Sequence, residues 1–247
     1  MDPVNPKAAE TGSSAASSRS LCKPGASWPD GYGRLIFDSV DSTLSEAARR
    51  ASELTGPTWI LAQEQTAARG RRGRSWATPR GNFAATLMLR HGEEPASAAL
   101  RSFVASPNDV LLNGGKVAGI LLESIGDHLA IGIGVNLAHA PGADQVEANA
   151  LRPVSLAGET GVTVTPTAFL DVLAKEYAEL EQQFRTYSFA PIRTAWLAHA
   201  ARLGEQIVAR TMKDETRGVF EDVDTMGNLI LRTPKGRVSI TAADVFF

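Results

Sequence analysis

Short hydrophobic segments separated by glycine-containing or charged turns dominate the middle of the chain. The segments are TWILAQEQT at 58–66, NFAATLMLR at 82–90, DVLL at 109–112, KVAGILLES at 116–124 and HLAIGIGVN at 128–136. The last three are joined by turns at Asn113-Gly114-Gly115 and Gly126-Asp127, which are typical of antiparallel hairpins. The pattern therefore predicts strands that form a mixed or antiparallel central sheet.

A helix is predicted before the first of these strands. Apolar residues recur at helical spacing over 44–54, and Gly56 with Pro57 ends the pattern. Thr43 and Glu46 stand three residues apart at its start, which is the spacing of a capping box. We expect the Thr43 side chain to cap this helix.

The C-terminal half changes from helical to alternating spacing. Thr165 and Pro166 have the N-cap and first-turn positions of a long helix, and a second helix is predicted at 191–200. After Gly204 the pattern has period two, with strands predicted at 206–211, 216–223, 228–233 and 236–240. Short strands separated by glycine-bearing turns are typical of a small barrel.

These elements predict an α+β fold with three parts. Residues 1–30 are polar and rich in small residues, so we expect a disordered tail. Residues 31–204 form the main domain, in which helices flank the central sheet, and residues 205–247 form a small β-barrel. The tail is too short and too polar to form a helix-turn-helix domain, so we expect no N-terminal DNA-binding domain.

Composition excludes several classes of protein. Among the 247 residues the formal net charge is -2, which argues against a general nucleic-acid binder. No apolar run approaches the roughly 20 residues of a membrane helix, and the tail lacks the apolar core of a secretory signal. The single cysteine, Cys22, excludes an internal disulfide framework. We therefore expect a cytoplasmic protein without a membrane or nucleic-acid partner.

The segment 69–76 (RGRRGRSW) is the most informative for function, and we call its residues Arg69–Arg74 the arginine segment. Its four arginines can bind phosphate oxygens in pairs, while its two glycines permit close backbone approach. Trp76 offers a flat face for a purine ring. An alternative interpretation is an RNA-binding module that uses Arg69–Arg74, or simply a solvated charge run. The position between two predicted strands favours a structured anion site.

Two further segments contain candidate chemistry. Lys116 begins a predicted apolar strand, where it would project a point charge into a cleft, and Asp109 lies on the preceding strand. Gly119 leaves room against the backbone for a ring system. The segment 132–136 (GIGVN) adds Asn136 at a strand end, although glycine in a strand more often marks a bulge.

Taken together, these segments resemble the biotin protein ligases, also called biotin–acetyl-CoA-carboxylase ligases. The matching motifs are DSVDST, QTAARGRRGRSW, GNFAATLML, PNDVLLNGGKVAGILLE, GIGVN and GVFEDVDTMGNLILRTPKGRV, which cover roughly residues 31–247. The resemblance implies a main domain like that of class II aminoacyl-tRNA synthetases and biotin ligases, with an SH3-like C-terminal barrel. It implies ATP-dependent formation of biotinyl-5′-AMP and transfer of biotin to a lysine.

The resemblance also implies ligands, partners and site residues. The ligands are ATP, biotin and Mg²⁺ bound with ATP, without a side-chain metal cluster; the partner is a biotin carboxyl carrier domain, and the protein is a monomer or weak homodimer. The implied biotin-binding residues are Ser42, Thr43, Gln65, Arg69, Lys116, Gly119 and Leu121. The implied ATP-binding residues are Arg69, Arg71, Arg74, Trp76 and Asn136, and the implied catalytic residues are Arg71, Lys116 and Asp109.

The chain departs from the family between Leu100 and Pro107. Relatives have a helix, a further strand and a Lys-Trp pair there, whereas this sequence runs directly into Pro107-Asn108-Asp109. Either the segment is omitted from this sequence or it is truly deleted. A true deletion would expose apolar surface and lower activity, which makes a catalytically impaired relative an alternative. A lipoate or octanoate ligase is another alternative, disfavoured because the arginine segment followed by Trp76 is a biotin-side feature.

Overall fold

The computed structural model describes residues 28–70, 73–90, 109–142, 145–146, 150–211, 214–241 and 244–246. Three sequence-based predictions lie outside these residues: the role of Arg71, the shortened segment before Pro107 and most of the N-terminal tail, including Cys22. They stay predictions.

A six-stranded mixed sheet forms the centre of the main domain. Its strands are β1 Gly33–Phe37, β2 Thr58–Ala62, β3 Phe83–Arg90, β4 Asp109–Leu112, β5 Gly115–Ile125 and β6 His128–Val135, in the order β1-β2-β3-β6-β5-β4. β1 and β2 are parallel, and the other neighbours are antiparallel. The predicted α+β fold with a mixed central sheet is confirmed.

The predicted hairpins of β4, β5 and β6 are also confirmed. Asn113 and Gly114 turn with φ of 50° and 76°, the left-handed pair that a two-residue hairpin requires. Within β4, before this turn, the register shifts between Val110 and Leu111, so that Asp109 lies opposite Gly119. The irregularity lies in the edge strand β4, next to the predicted site residue Asp109.

Helices cover both faces of the sheet. The central strands β2 and β3 are therefore buried on both faces, which explains their nearly continuous apolar sequences. The helices are α1 Thr43–Arg50, α2 Leu156–Thr160, α3 Pro166–Tyr187 and α4 Ala190–Leu197. Leu44 of α1 packs in one cluster with Ile60, whereas Leu170 of α3 packs with Trp59 and Leu61 on the other face. In the described part of the chain, no helix is both long and apolar enough to cross a membrane.

The start of α1 differs from the prediction. Ser42 is the N-cap and makes no side-chain capping bond, and Thr43 is already the first helical residue. The Thr43 side chain is buried, and its hydroxyl contacts Gln65 and Thr86 instead. The predicted capping box is therefore wrong, because tertiary contacts engage the threonine. The cap of α3 is confirmed, since the Thr165 hydroxyl accepts from the Ala168 N–H at 3.2 Å.

Ordered packing begins before residue 31, where the predicted tail ends. Trp28 is half-buried against the main core, and its indole N–H donates to the Tyr32 carbonyl at 2.7 Å. The Arg34 guanidinium lies 4.8 Å from the Trp28 ring centroid. Trp28 to Asp30 therefore extend the main domain.

The C-terminal strands form a second, antiparallel sheet. They are β7 Gln206–Arg210, β8 Glu215–Val223, β9 Leu229–Thr233, β10 Gly236–Ile240 and β11 Asp244–Phe246, in the order β10-β9-β8-β7-β11. Among the described residues no pairing joins β10 to β11, so the predicted barrel is an open sheet here. Phe189, Ile192 and Trp196 pack on its core, so α4 belongs to this sheet by packing. The domain boundary near 204 stays a prediction.

Candidate functional site

A single cleft collects the predicted site residues. It has a volume of about 1270 Å³, more than one drug-sized ligand needs, and lies between the start of α1, the arginine segment, the ends of β5 and β6, and the C-terminal sheet. Every predicted site residue that the structure describes lines it: Ser42, Thr43, Gln65, Arg69, Arg74, Trp76, Asp109, Lys116, Gly119, Leu121 and Asn136. Residues from α1, from the loop after β2 and from β4, β5 and β6 therefore meet in one space.

Two glycines form the floor of this cleft. Gly119 of β5 lies opposite Gly134 of β6, and the Trp76 ring covers both. A Cβ on Gly134 would lie 2.6 Å from the Trp76 indole nitrogen, and one on Gly119 would lie 3.3 Å from the ring edge. Gly134 needs glycine because the indole packs directly on its backbone, whereas a side chain at Gly119 would require only a small shift of the ring. Gly119 was among the predicted site residues, whereas Gly134 was not.

Lys116 and Asp109 form the charged centre of the cleft. The Lys116 ammonium lies 2.7 Å from Asp109 Oδ1 and 5.5 Å from the Trp76 ring centroid. Their side chains are 28% and 36% exposed, so the pair is only partly screened by solvent. The lysine is therefore held over the glycine floor, where it can meet an anion.

The segment 151–155 fixes the backbone beside Lys116. The Lys116 N–H donates to the Arg152 carbonyl at 2.8 Å, and the Val154 N–H donates to the Lys116 carbonyl at 3.0 Å. Gly115 permits this approach, since a Cβ there would lie 2.3 Å from Val154. The start of β5 is thus held from both sides.

Asn136 holds the same segment. It is 2% exposed, and its side-chain amide donates to the Val154 carbonyl at 3.0 Å. Its backbone N–H donates to the Val117 carbonyl at 2.8 Å. The residue predicted to bind ATP lines the cleft and also positions Lys116 through its neighbours.

Uncharged polar groups form the wall at the start of α1. Gln65 Oε1 accepts from the Thr43 backbone N–H at 2.7 Å, and Gln65 Nε2 donates to the Thr78 hydroxyl at 3.1 Å. The Thr86 hydroxyl donates to that of Thr43 at 2.9 Å. Thr78 and Thr86 were not predicted, although Thr86 is the one polar residue within the apolar run 83–89. The wall presents amide and hydroxyl groups that are already oriented.

The arginine segment is closed at its base. The Gly70 N–H donates to the Arg74 carbonyl at 2.7 Å, and the Trp76 N–H donates to the Ala68 carbonyl at 3.0 Å. Gly73 has φ of 74°, a conformation that L side chains rarely adopt. This turn reverses the direction of the chain, so that Arg69 and Trp76 both line the cleft.

Asp41, the residue before Ser42, belongs to a network of charged side chains at the start of α1. The Arg49 guanidinium donates to Asp41 at 2.7 Å and 3.0 Å. Those bonds and the Ser42 N–H lower the pKa of Asp41 to about 2. Hydrogen bonds from Arg50 and Arg49 also hold the pKa of Glu46 below its usual range. The entry to α1 is therefore fixed by charge rather than by a side-chain cap.

Two family models match the chain. The Biotin/lipoate A/B protein ligase family matches residues 35–103 and 94–136, and the Biotin protein ligase C terminal domain matches residues 203–247. The first covers the arginine segment and the strands that bear Lys116 and Asn136. The second begins just before β7.

Similar proteins agree with these models. The chain is 54% identical to Biotin--[acetyl-CoA-carboxylase] ligase of Paracoccus denitrificans over 234 residues, with 84% of this chain and 98% of the relative covered. It is 27% identical to the Bifunctional ligase/repressor BirA of Bacillus subtilis, covering 85% and 73%. A biotin protein ligase from Aquifex aeolicus in complex with biotin and ATP has the same fold, with a TM-score of 0.73, 23% identity, and coverage of 86% and 97%.

The alignments also bear on the predicted shortening. The comparison with the Paracoccus ligase runs over 234 positions and includes 84% of this 247-residue chain. Because 84% of 247 residues is fewer than 234, some positions of the relative have no counterpart in this chain. The ligase family model likewise matches in two pieces that overlap at 94–103. The overlap falls next to the segment where the sequence predicts missing residues.

Proposed function

Because this chain belongs to the biotin protein ligase family, we propose that it activates biotin with ATP and transfers it to a lysine of a carboxylase carrier domain. The observation that supports this most directly is the shared cleft, in which every described residue of the predicted site has a place around Lys116 and Asp109. A volume of about 1270 Å³ suits a nucleotide joined to a second small molecule.

In the first half-reaction a biotin carboxylate oxygen attacks the α-phosphorus of ATP. The new bond gives biotinyl-5′-AMP, and the bond to the β-phosphate breaks to release pyrophosphate. Because two anions must meet, positive charge has to offset their repulsion. Lys116 supplies it from the cleft centre, and we assign the same task to Arg71. Mg²⁺ bound to the ATP phosphates would add further positive charge.

The floor and the wall of the cleft are assigned to different parts of the two ligands. The Trp76 ring, supported by Gly119 and Gly134, is assigned to the nucleotide base. The wall of Ser42, Thr43 and Gln65, with Leu121 nearby, is assigned to the biotin rings. Apolar and amide groups side by side match a bicyclic ligand that carries a ureido group.

In the second half-reaction the carrier lysine attacks the acyl carbon of the adenylate. The new amide bond forms, AMP leaves with the bonding electrons, and the amine loses a proton. We assign Asp109 to orient this amine and accept its proton, since its carboxylate already contacts one ammonium group at 2.7 Å.

The decisive experiment is pyrophosphate release from ATP and Mg²⁺ with biotin, with lipoate, or with neither acid. Release that depends on biotin supports the proposal, and release that depends on lipoate would replace it with a lipoate ligase. Strongly salt-dependent RNA affinity without any release would favour the RNA-binding alternative. The transfer step is then followed by mass spectrometry of an apo carrier domain.

A catalytically impaired relative is the second candidate, favoured by the positions that the Paracoccus ligase has and this chain lacks. Calorimetry separates it from an active ligase. Biotin binding with pyrophosphate release no faster than the no-enzyme rate would establish the impaired form. A chain with the segment restored from the relative serves as the matched comparison.

A further inference from the structure

The Arg69 side chain is engaged at all three guanidinium nitrogens. Nη2 donates to Glu123 Oε2 at 2.9 Å, Nε donates to Glu123 Oε1 at 3.2 Å, and Nη1 donates to the Ser45 hydroxyl at 3.1 Å. The fork of the guanidinium thus matches one carboxylate and one hydroxyl. We call this set of Arg69, Glu123 and Ser45 the Arg69 clasp.

The clasp joins three elements that are distant in sequence. Ser45 belongs to α1, Glu123 belongs to β5, and Arg69 stands at the base of the arginine segment, where Gly70 pairs with Arg74. α1 approaches the sheet closely because Leu44 packs over Gly132, where a Cβ would lie 2.8 Å from the leucine. This approach brings Ser45 within reach of the segment.

Strand geometry places the clasp at one end of the cleft. Gly119, Leu121 and Glu123 stand two residues apart on β5, so they share one face. Gly119 lies under Trp76, Leu121 lines the cleft, and Glu123 anchors Arg69 beyond it. The Glu123 end lies next to the start of α1, away from Lys116.

We propose that Glu123 and Ser45 are positioning residues, which act through Arg69 to hold the base of the arginine segment, where Gly70 pairs with Arg74, at the biotin-ring end of the cleft. This inference rests on the proposed function. Arg69 is held by Glu123 at the end of the cleft away from Lys116, so we assign Arg69 to the biotin-ring end and the phosphates to Lys116. Loss of the clasp therefore weakens retention of biotin and its adenylate and leaves the phosphoryl step unchanged.

The first test needs no ligase activity. Trypsin cleaves after arginine, so its cleavage rate within 69–74 of the folded chain reports how firmly the segment is held. We expect Glu123→Gln to raise this rate about tenfold, and Glu123→Asp, which keeps the charge with a shorter reach, to raise it less. Asp127→Asn is the matched control, because it breaks an exposed arginine pair, with Arg90, on the β5–β6 hairpin outside the cleft.

The second test separates positioning from chemistry. For biotin-dependent pyrophosphate release we expect Glu123→Gln to raise the KM for biotin about tenfold with kcat unchanged, and Ser45→Ala to raise it about threefold. A double-mutant cycle checks the route: with Arg69→Gln already present, Glu123→Gln should add nothing.

Several outcomes would overturn the clasp. Unchanged trypsin cleavage in both Glu123 variants, a fall in kcat at constant KM, or additive effects of the Arg69 and Glu123 substitutions each contradict it. Absence of biotin-dependent release from the unsubstituted protein would instead defeat the proposed function, and the trypsin result would still decide whether the segment is held.

Discussion

Lys116 on β5 and Asp109 on β4 are paired at 2.7 Å, with the Trp76 ring beside the ammonium group. The register shift after Val110 places Asp109 opposite Gly119, three residues beyond the lysine along β5. One edge of the sheet thus presents a cation and a carboxylate to the same cleft. Each is assigned to a different half-reaction, so they can be tested separately.

Replacing Lys116 with methionine should slow adenylate formation. The substitution keeps the length of the side chain and removes its charge, so the loss should be about 10²- to 10³-fold in kcat for pyrophosphate release. Lys175→Met is the control, since Lys175 is an exposed lysine on α3, where it pairs with Glu179. An undiminished kcat in the Lys116 variant would remove this lysine from the chemistry.

Replacing Asp109 with asparagine should slow transfer more than activation. Starting from preformed biotinyl-5′-AMP isolates the second step from any effect on Lys116, and we expect transfer to the carrier lysine to fall about 10²-fold. Asp171→Asn, which breaks a pair with Arg34 elsewhere in the main domain, should transfer at the normal rate. Equal transfer rates for the Asp109 variant and the unsubstituted protein would exclude the assigned role.

The glycine floor predicts a graded response to added methyl groups. Gly134→Ala places Cβ 2.6 Å from the Trp76 ring, whereas Gly119→Ala places it 3.3 Å away. The first should therefore displace the indole, lower the free energy of unfolding by about 1–3 kcal/mol and weaken ATP binding, and the second should do less of both. Urea unfolding and calorimetry measure the two effects. The reverse order would mean that Trp76 does not pack on this floor.

The Asp41–Arg49 pair should make a small contribution to the free energy of unfolding, and this contribution should disappear in acid. Folding lowers the pKa of Asp41 from 3.8 to about 2, so the contribution is fully present above about pH 4 and is lost as the pH falls through 2. Because Asp41 is 45% exposed, Asp41→Asn should cost less than about 1 kcal/mol at pH 7 and only a small fraction of that at pH 2. Urea unfolding at several pH values measures this.

Arg49→Gln provides the matched comparison for that experiment. It removes the same pair from the other side together with the bond to Glu46, so it should cost more than Asp41→Asn, and adding Asp41→Asn to it should cost little more. A stability difference that is as large at pH 2 as at pH 7 would show that the two residues act through something other than this ion pair.

The sequence by itself determined most of the local elements and indicated which residues line the cleft. Asn113-Gly114 specified a hairpin and Thr165-Pro166 specified a helix start, because these signals depend on the φ preferences and hydrogen bonds of neighbouring residues. The motifs that resemble a known family then indicated which residues belong together. All of those that the structure describes line one cleft.

Only the tertiary structure decided the partners of individual side chains. Thr43 was predicted to cap α1 but packs with Gln65 and Thr86, and the predicted phosphate ligand Arg69 is held by Glu123, 54 residues away. Such contacts depend on the distance at which two elements pack, which no local pattern encodes. The open C-terminal sheet has the same cause, because alternating spacing specifies strands without fixing whether the edge strands meet.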